Sequence, residues 1–281
     1  MVWQRGITLK SKRELSIMRE AGKINALALL TAVEVAEPGV TTEEIDAVVA
    51  EVLRKNGAKP AFLGYGEPYP YPAVSTVSVN DELVHGIPGK RRLKDGDIVS
   101  IDCGSIVDGF VADSAVTIGV GEISDETQRL LDVTLAALFA GIDQMRLGNR
   151  TGDVSAAIQK YVEGNGYNVV REYTGHGVGR NMHEDPQVPN YGVPGKGVEL
   201  RNGMTIAIEP MVLTGTCETR VLGDQWCVAS KDGKLTAHYE HTVAITRVGP
   251  LVLTMLDDDL DDGNTIRYNE YFMGWIEPAL R

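Results

Sequence analysis

Two stretches of the chain carry the same apolar pattern at helical spacing. After Pro38-Gly39, apolar side chains fall at Ile45, Val48, Val49, Val52 and Leu53, the recurrence of a helix with one buried face. Thr41 and Glu44 supply a capping box at its start, and Gly57 suits a left-handed stop at its end. After Leu147-Gly148 the pattern returns at Val154, Ala157, Ile158, Tyr161 and Val162, with Thr151 near the start and Gly166 closing it. Ala26 to Val35 is a further apolar run, read as helix and too short to span a bilayer. Strand-like alternation also occurs twice. Leu93 to Asp102 aligns without gaps with Leu200 to Glu209, each a basic residue, a glycine turn and a β-rich run ending in a carboxylate. Period two puts Ser100 and Asp102 on one face, and likewise Thr205, Ala207 and Glu209; Ile101, Ile206 and Ile208 turn towards a core.

Two further matches continue the duplication. His85-x-x-Pro88 corresponds to His183-x-x-Pro186, and Asp113-Ser-Ala-Val116 to Glu240-His-Thr-Val243. Each half thus contributes helix, histidine, strand carboxylate and second-strand carboxylate in one order. Halves of about 12–121 and 122–250 packed about an approximate two-fold axis would bring the matching carboxylates together, so residues 1–255 are read as one domain. Asp108-Gly109 predicts a two-residue hairpin that sets Asp102 and Asp113 within cross-strand reach. Asp232-Gly233 predicts a second hairpin leading into Glu240.

Charge narrows the partners. A net charge of -12 argues against specific nucleic-acid binding, and Lys90-Arg91-Arg92 reads as a solvated loop. Met1 to Arg5 lacks the apolar core of a signal peptide, and no run suits a membrane span. Cys103, Cys217 and Cys227 form neither an even set nor a CxxC pair, which points to a reducing cytoplasm. All five histidines lie near acidic residues, in the segments 80–85, 175–184 and 238–241.

Asp102, Asp113, Glu209, Glu240 and a histidine converging on one site cannot all stay charged and unpaired. Either most carboxyls are protonated or cations neutralise them, and two divalent metals bridged by carboxylates would do so. A single aspartate is more often a solvated surface residue. Four in duplicated, apolar-flanked strands are not.

The segments Asn80-x4-His85-Gly-Ile-Pro88, Asp97-Ile-Val-Ser-Ile-Asp102, Asp113-Ser, Gly175-His176-Gly-Val-Gly-x3-His183-Glu-x-Pro186, Ile208-Glu209-Pro210-Met211 and Tyr239-Glu240-His241-Thr242 resemble the type I methionine aminopeptidases of the pita-bread metallopeptidase family. The resemblance covers roughly residues 8 to 255. It implies an α+β pita-bread fold: two pseudo-symmetric halves and a curved, mostly antiparallel sheet covered by helices. It also implies that Asp102, Asp113, His176, Glu209 and Glu240 ligate two divalent ions (Co, Mn, Fe or Zn), with Asp113 and Glu240 bridging. Water activated there would attack the first peptide bond, with Glu209 shuttling protons, His183 stabilising the oxyanion and His85 assisting the leaving amine. The substrate pocket would comprise His85, His183, Phe62, Tyr65, Tyr71, Thr76, Met182 and Trp226. Implied partners are N-terminal methionine peptides and nascent polypeptides whose second residue is small, with transient ribosome contact, for a cytoplasmic monomer.

The chain departs from the family where Phe62 and Thr76 replace cysteine, where Met182 replaces an aromatic residue, and in a longer Gly66 to Pro70 loop. Two rivals remain: an Xaa-Pro aminopeptidase or prolidase of the same fold, and a non-catalytic binding module. His238 reads as a supporting or surface residue, His241 as turned away from Glu240, and Cys103 as a core thiol. Residues 256–281, with Tyr268, Tyr271, Phe272 and Trp275, read as an extension that packs on the domain or is flexible.

Overall fold

The computed structural model describes residues 4–256, so the expectation for the extension beyond Leu256 lies outside the described residues. The first half runs β1 (Gln4–Ile7), α1 (Lys12–Val35), α2 (Thr42–Lys55), β2 (Lys59–Pro60), β3 (Ser75–Val79), β4 (Glu82–Val84), β5 (Ile98–Val107) and β6 (Phe110–Gly119). The second begins with α3 (Asp125–Asp143), α4 (Thr151–Gly164), β7 (Asn168–Val169), β8 (Thr174–Gly177) and β9 (Glu184–Pro189). It continues through β10 (Thr205–Ile208), β11 (Met211–Leu213), β12 (Thr219–Val221), β13 (Val228–Ser230), β14 (Thr236–His238), β15 (Glu240–Thr246) and β16 (Gly249–Val252).

The two patterned helices, α2 and α4, are each 14 residues long. Thr41 and Glu44 form the expected capping box on α2, and Asp153 accepts from the Arg150 backbone to play the same part on α4. Gly57 and Gly166 follow the two helix ends with positive φ, where a side chain would be strained. Even the isolated bridges repeat: Thr41 pairs with Arg92 in one half, Arg150 with Glu199 in the other.

The main sheet has ten strands, with the central order β10-β15-β6-β5. Two strands from each half therefore meet at the β15–β6 junction. Among the described residues, its ladders are antiparallel except β1 with β9. The Asp108-Gly109 turn joins β5 to β6 as predicted, with φ of 47° and 76°, the left-handed pair of a type I′ turn. Asp232-Gly233 differs from expectation. Strand β13 pairs with β12 and β4 while β14 pairs with β11, so this turn passes between sheets instead of closing a hairpin. The Asp232 carboxylate accepts from the Thr216 and Lys234 backbones, fixing the turn locally while its flanking strands part.

One face of the sheet packs against the helices. Val99, Ile101, Cys103, Val116, Ile206, Ile208 and Val243 join side chains from α1, α2, α3 and α4 in one buried cluster. Each such aliphatic side chain contributes about 1.5–3 kcal/mol on burial. Asn25 of α1 is fully buried there and donates to the Cys103 and Ala112 carbonyls, tying the helix to the β5–β6 hairpin. The alternate strand positions face away from the helices and build the site.

Candidate metal centre and pocket

Alternation and register together assemble the acidic cluster. Asp102 pairs with Ala115, and Asp113 with Gly104, so the two carboxylates sit diagonally on one face of the β5–β6 hairpin. Glu240 pairs with Ala115 across the junction, which sets it diagonal to Asp113 from the other half. The Thr242 hydroxyl holds the Asp113 backbone, accepting from its N–H and donating to its carbonyl. Glu209 follows β10, and His176 of β8 pairs with Ala207 of that strand. Gly175 and Gly177 flank His176 where an added Cβ would meet the Ala207 and Asp185 carbonyls. The glycines are therefore what allow this strand to lie so close to its neighbours.

Asp102, Asp113 and Glu240 are at most 7% exposed, and the Oδ1 atoms of both aspartates and Oε1 of Glu240 lack a hydrogen-bond partner. Burial raises the Asp102 carboxyl to about 7. Asp113, Glu209 and Glu240 are pushed well above the carboxylate range, first by burial and then by one another's charge. His176 supplies the decisive detail. Its Nδ1 lies 3.0 Å from the Gly177 carbonyl, which can only accept, so Nδ1 carries the proton. Burial lowers the imidazole to about 4, and the neutral ring turns its Nε2 lone pair towards Glu209 Oε1 at 3.5 Å and Asp113 Oδ2 at 3.8 Å. Acceptor facing acceptor is unfavourable unless a proton or a metal ion lies between them, and these separations are longer than an ordinary hydrogen bond. The donor set fits divalent metal, and the Asp113, His176 and Glu240 ligand atoms lie within 4.8 Å of one another.

All thirteen residues expected at the site line one cavity together with Val84 and His238. Phe62, Tyr71 and Met182 belong to one buried apolar cluster, with Tyr65 and Trp226 against it. Tyr71 donates to the Ser75 and Gly86 carbonyls, and Trp226 Nε1 donates to the Tyr69 carbonyl, bracing the loop from Gly66 to Pro70. Thr76 pairs with Asp102 and so presents its side chain beside the carboxylates. His85 adopts φ of 62°, a left-handed conformation unusual for a non-glycine residue, between the ring edges of Trp226 and Tyr173. The His183 ring lies tilted with its centroid 4.3 Å from that of His176, and its Nδ1 meets the Tyr65 hydroxyl at 2.5 Å. Burial holds His85 at about 4 and His183 at about 2.

The surface reading of His238 is overturned. It is 2% exposed, and its Nε2 points between Glu209 and Glu240. The signal was available, since the alternation that turns His241 away puts His238 on the side of Glu240. His241 does face the helices, bonded to Thr254 and beside Phe139. It borders a second cavity between α1 and α3 walled chiefly by aliphatic side chains such as Leu29, Val33, Leu135 and Leu138. That cavity has no comparable convergence of carboxylates. Cys103 is a fully buried core thiol, raised well above its ordinary pKa by burial.

The sequence profile of metallopeptidase family M24 matches residues 16–247. The methionine aminopeptidase of Clostridium perfringens is 49% identical over 250 residues, covering 89% of this chain and 99% of that protein. The crystal structure of methionine aminopeptidase from Thermotoga maritima superposes with a TM-score of 0.87 at 47% identity, over 89% of this chain and 99% of that one. The prolidase of Pyrococcus horikoshii is more distant, with a TM-score of 0.72 at 25% identity over 89% of this chain and 64% of that one.

Proposed function

The chain belongs to metallopeptidase family M24, and on that premise we propose that its acidic pocket releases the first residue of polypeptides that begin with methionine and carry a small second residue. It is a metal-dependent aminopeptidase with divalent ions as cofactor. The observation that carries the assignment is the inward-facing His176 Nε2 among buried carboxylates, three of which each have an oxygen without a hydrogen-bond partner. Asp102, Asp113, His176, Glu209 and Glu240 would hold two divalent cations. Divalent metal held there would supply Lewis-acid polarisation of the scissile carbonyl and a water acidic enough to act as nucleophile near neutral pH.

The chain's own groups do the rest. Glu209 takes the proton released by the attacking water and returns it to the leaving amine. Burial raises the Tyr65 phenol to about 12, which keeps it a hydroxyl donor to His183 Nδ1. The proton of the neutral His183 ring then sits on Nε2, where it stabilises the oxyanion without a full charge. His85, at the mouth beside Trp226, contacts the scissile region and assists proton transfer to the amine. Phe62, Tyr65, Tyr71, Thr76, Met182 and Trp226 surround the methionine side chain, whose flexible thioether suits aromatic walls.

The reaction belongs in the cytoplasm, where nascent chains emerge, with a monomer in passing contact with the ribosome. The free cysteines suit that reducing setting. No helix among the described residues is long and apolar enough to cross a membrane. The test compares metal-loaded protein on Met-Ala, Met-Gly and Xaa-Pro peptides. Release of methionine from the first two is the expected result. Cleavage confined to Xaa-Pro peptides would transfer the assignment to the prolidase branch, and intact peptides throughout would leave a binding module.

A further inference from the structure

We propose that His238 is a further metal-ligating residue, which gives the Glu209–Glu240 side of the centre its own imidazole nitrogen. The proposal rests on the reading of this pocket as a divalent-metal centre and adds a ligand to it.

Position comes first. His238 ends β14, where it pairs with Met211, and its backbone is gripped from the other half of the molecule. The Thr117 hydroxyl of β6 accepts from the His238 N–H at 2.9 Å and donates to the His238 carbonyl at 2.6 Å. Ser100 of β5 braces that hydroxyl at 2.8 Å. The hairpin that carries Asp102 and Asp113 thereby sets where this imidazole stands.

The nitrogen itself then points to a ligand. His238 Nε2 is buried without a hydrogen-bond partner, 3.8 Å from Glu209 Oε2 and 3.8 Å from Glu240 Oε2. That separation is too long for a hydrogen bond to either carboxylate. It is close to the spacing of two donors around a common ion, since ligands about 2.1 Å from a tetrahedral metal stand roughly 3.4 Å apart. Ligand atoms of Glu209, His238 and Glu240 all lie within 4.8 Å of one another, as do those of Asp113, His176 and Glu240. Two triads share Glu240, each with one imidazole. The duplicated strands supply carboxylates to both, but His238 has no counterpart in the first-half motif, so its nitrogen is particular to this side. A nitrogen in each triad favours borderline ions such as zinc, cobalt or iron over magnesium or calcium.

Chelator-stripped protein titrated with Co(II) tests this by equilibrium dialysis and by the visible d–d spectrum. Replacing His238 by glutamine should weaken one class of Co(II) site at least tenfold and change its spectrum, with the fold verified by thermal melting. His241→Gln, on the helix face, should alter neither. A His238→Gln isotherm and spectrum identical to wild type would overturn the proposal while leaving the metal centre intact. Wild type that binds no Co(II) would instead overturn the centre. Wild type loaded with cadmium-113 and labelled with nitrogen-15 at histidine gives a reading free of any folding defect: two imidazoles coupled to cadmium support the proposal, and only one contradicts it.

Discussion

The Tyr65 hydroxyl sits 2.5 Å from His183 Nδ1, and this contact sets which nitrogen of the imidazole carries the proton. With the phenol donating, His183 keeps its proton on Nε2. Tyr65→Phe removes that control while preserving the ring against the pocket wall. Losing one such hydrogen bond is worth about 1 kcal/mol. We expect kcat to fall on the order of tenfold, with a smaller change in KM. Steady-state kinetics on a Met-Ala peptide would check this; a rise in KM alone would reduce Tyr65 to a wall residue.

The acidic cluster makes metal-free stability depend on pH with a definite sign. Asp102, Asp113, Glu209 and Glu240 hold protons more tightly when folded than when unfolded, so they destabilise the fold as pH rises through their raised folded values. The buried histidines act oppositely. Lowered to about 4 at His176 and about 3 at His238, they cost stability as pH falls below their unfolded value of about 6.5. The two effects compete below about 6.5, and above it only the carboxylates still titrate. Metal-free protein should therefore melt at lower temperature as pH goes from about 6.5 to 8, and divalent metal should abolish the trend while releasing protons. A melting temperature that climbs across that range without metal would refute the charge assignment.

Much of this molecule is legible in its sequence because the informative rules are local. A capping box at Thr41, a positive-φ turn at Asp108-Gly109 and strand alternation around Asp102 involve neighbours a few residues apart. The duplication extended those rules to the second half, so α4 and β10 could be read from α2 and β5. The misreadings share a different cause. Whether Asp232-Gly233 closes a hairpin depends on partners chosen far along the chain, β4 for one strand and β11 for the other. For His238 the local alternation gave its side of the strand, but the grip of Thr117 on its backbone comes from a residue that no short window around residue 238 contains.

Gly177 tests how closely the His176 strand must approach its neighbour. A Cβ there would run into the Asp185 backbone, which cannot retreat as a flexible side chain could. Gly177→Ala should cost about 1–3 kcal/mol and displace the imidazole enough to weaken metal binding. Gly164 of α4 is the contrast, with ordinary φ and open space around its missing Cβ. Gly164→Ala should raise stability by about 0.5–1 kcal/mol. Urea melts with metal titrations would separate the two, and equal behaviour would mean that Gly177 is not a packing constraint.

The N-terminal segment is held to the site by a buried ion pair. Lys10 Nζ lies 2.8 Å from Glu184 Oε2, and the Thr8 hydroxyl joins the same carboxylate. Their side chains are only 5% and 2% exposed, so each charge depends on the other. The Lys10 hydrogen bond and charge hold Glu184 below the usual carboxylate range against the opposing effect of burial. Lys10→Met would strand an uncompensated carboxylate one residue after His183, at a cost of about 3 kcal/mol. Lys10→Met with Glu184→Leu removes both charges and should recover much of that loss, because a well-packed apolar pair avoids desolvation. Denaturant melts of the two variants check the order. Should the double variant be no more stable than Lys10→Met alone, the lost stability would come from packing of the segment and not from the stranded charge.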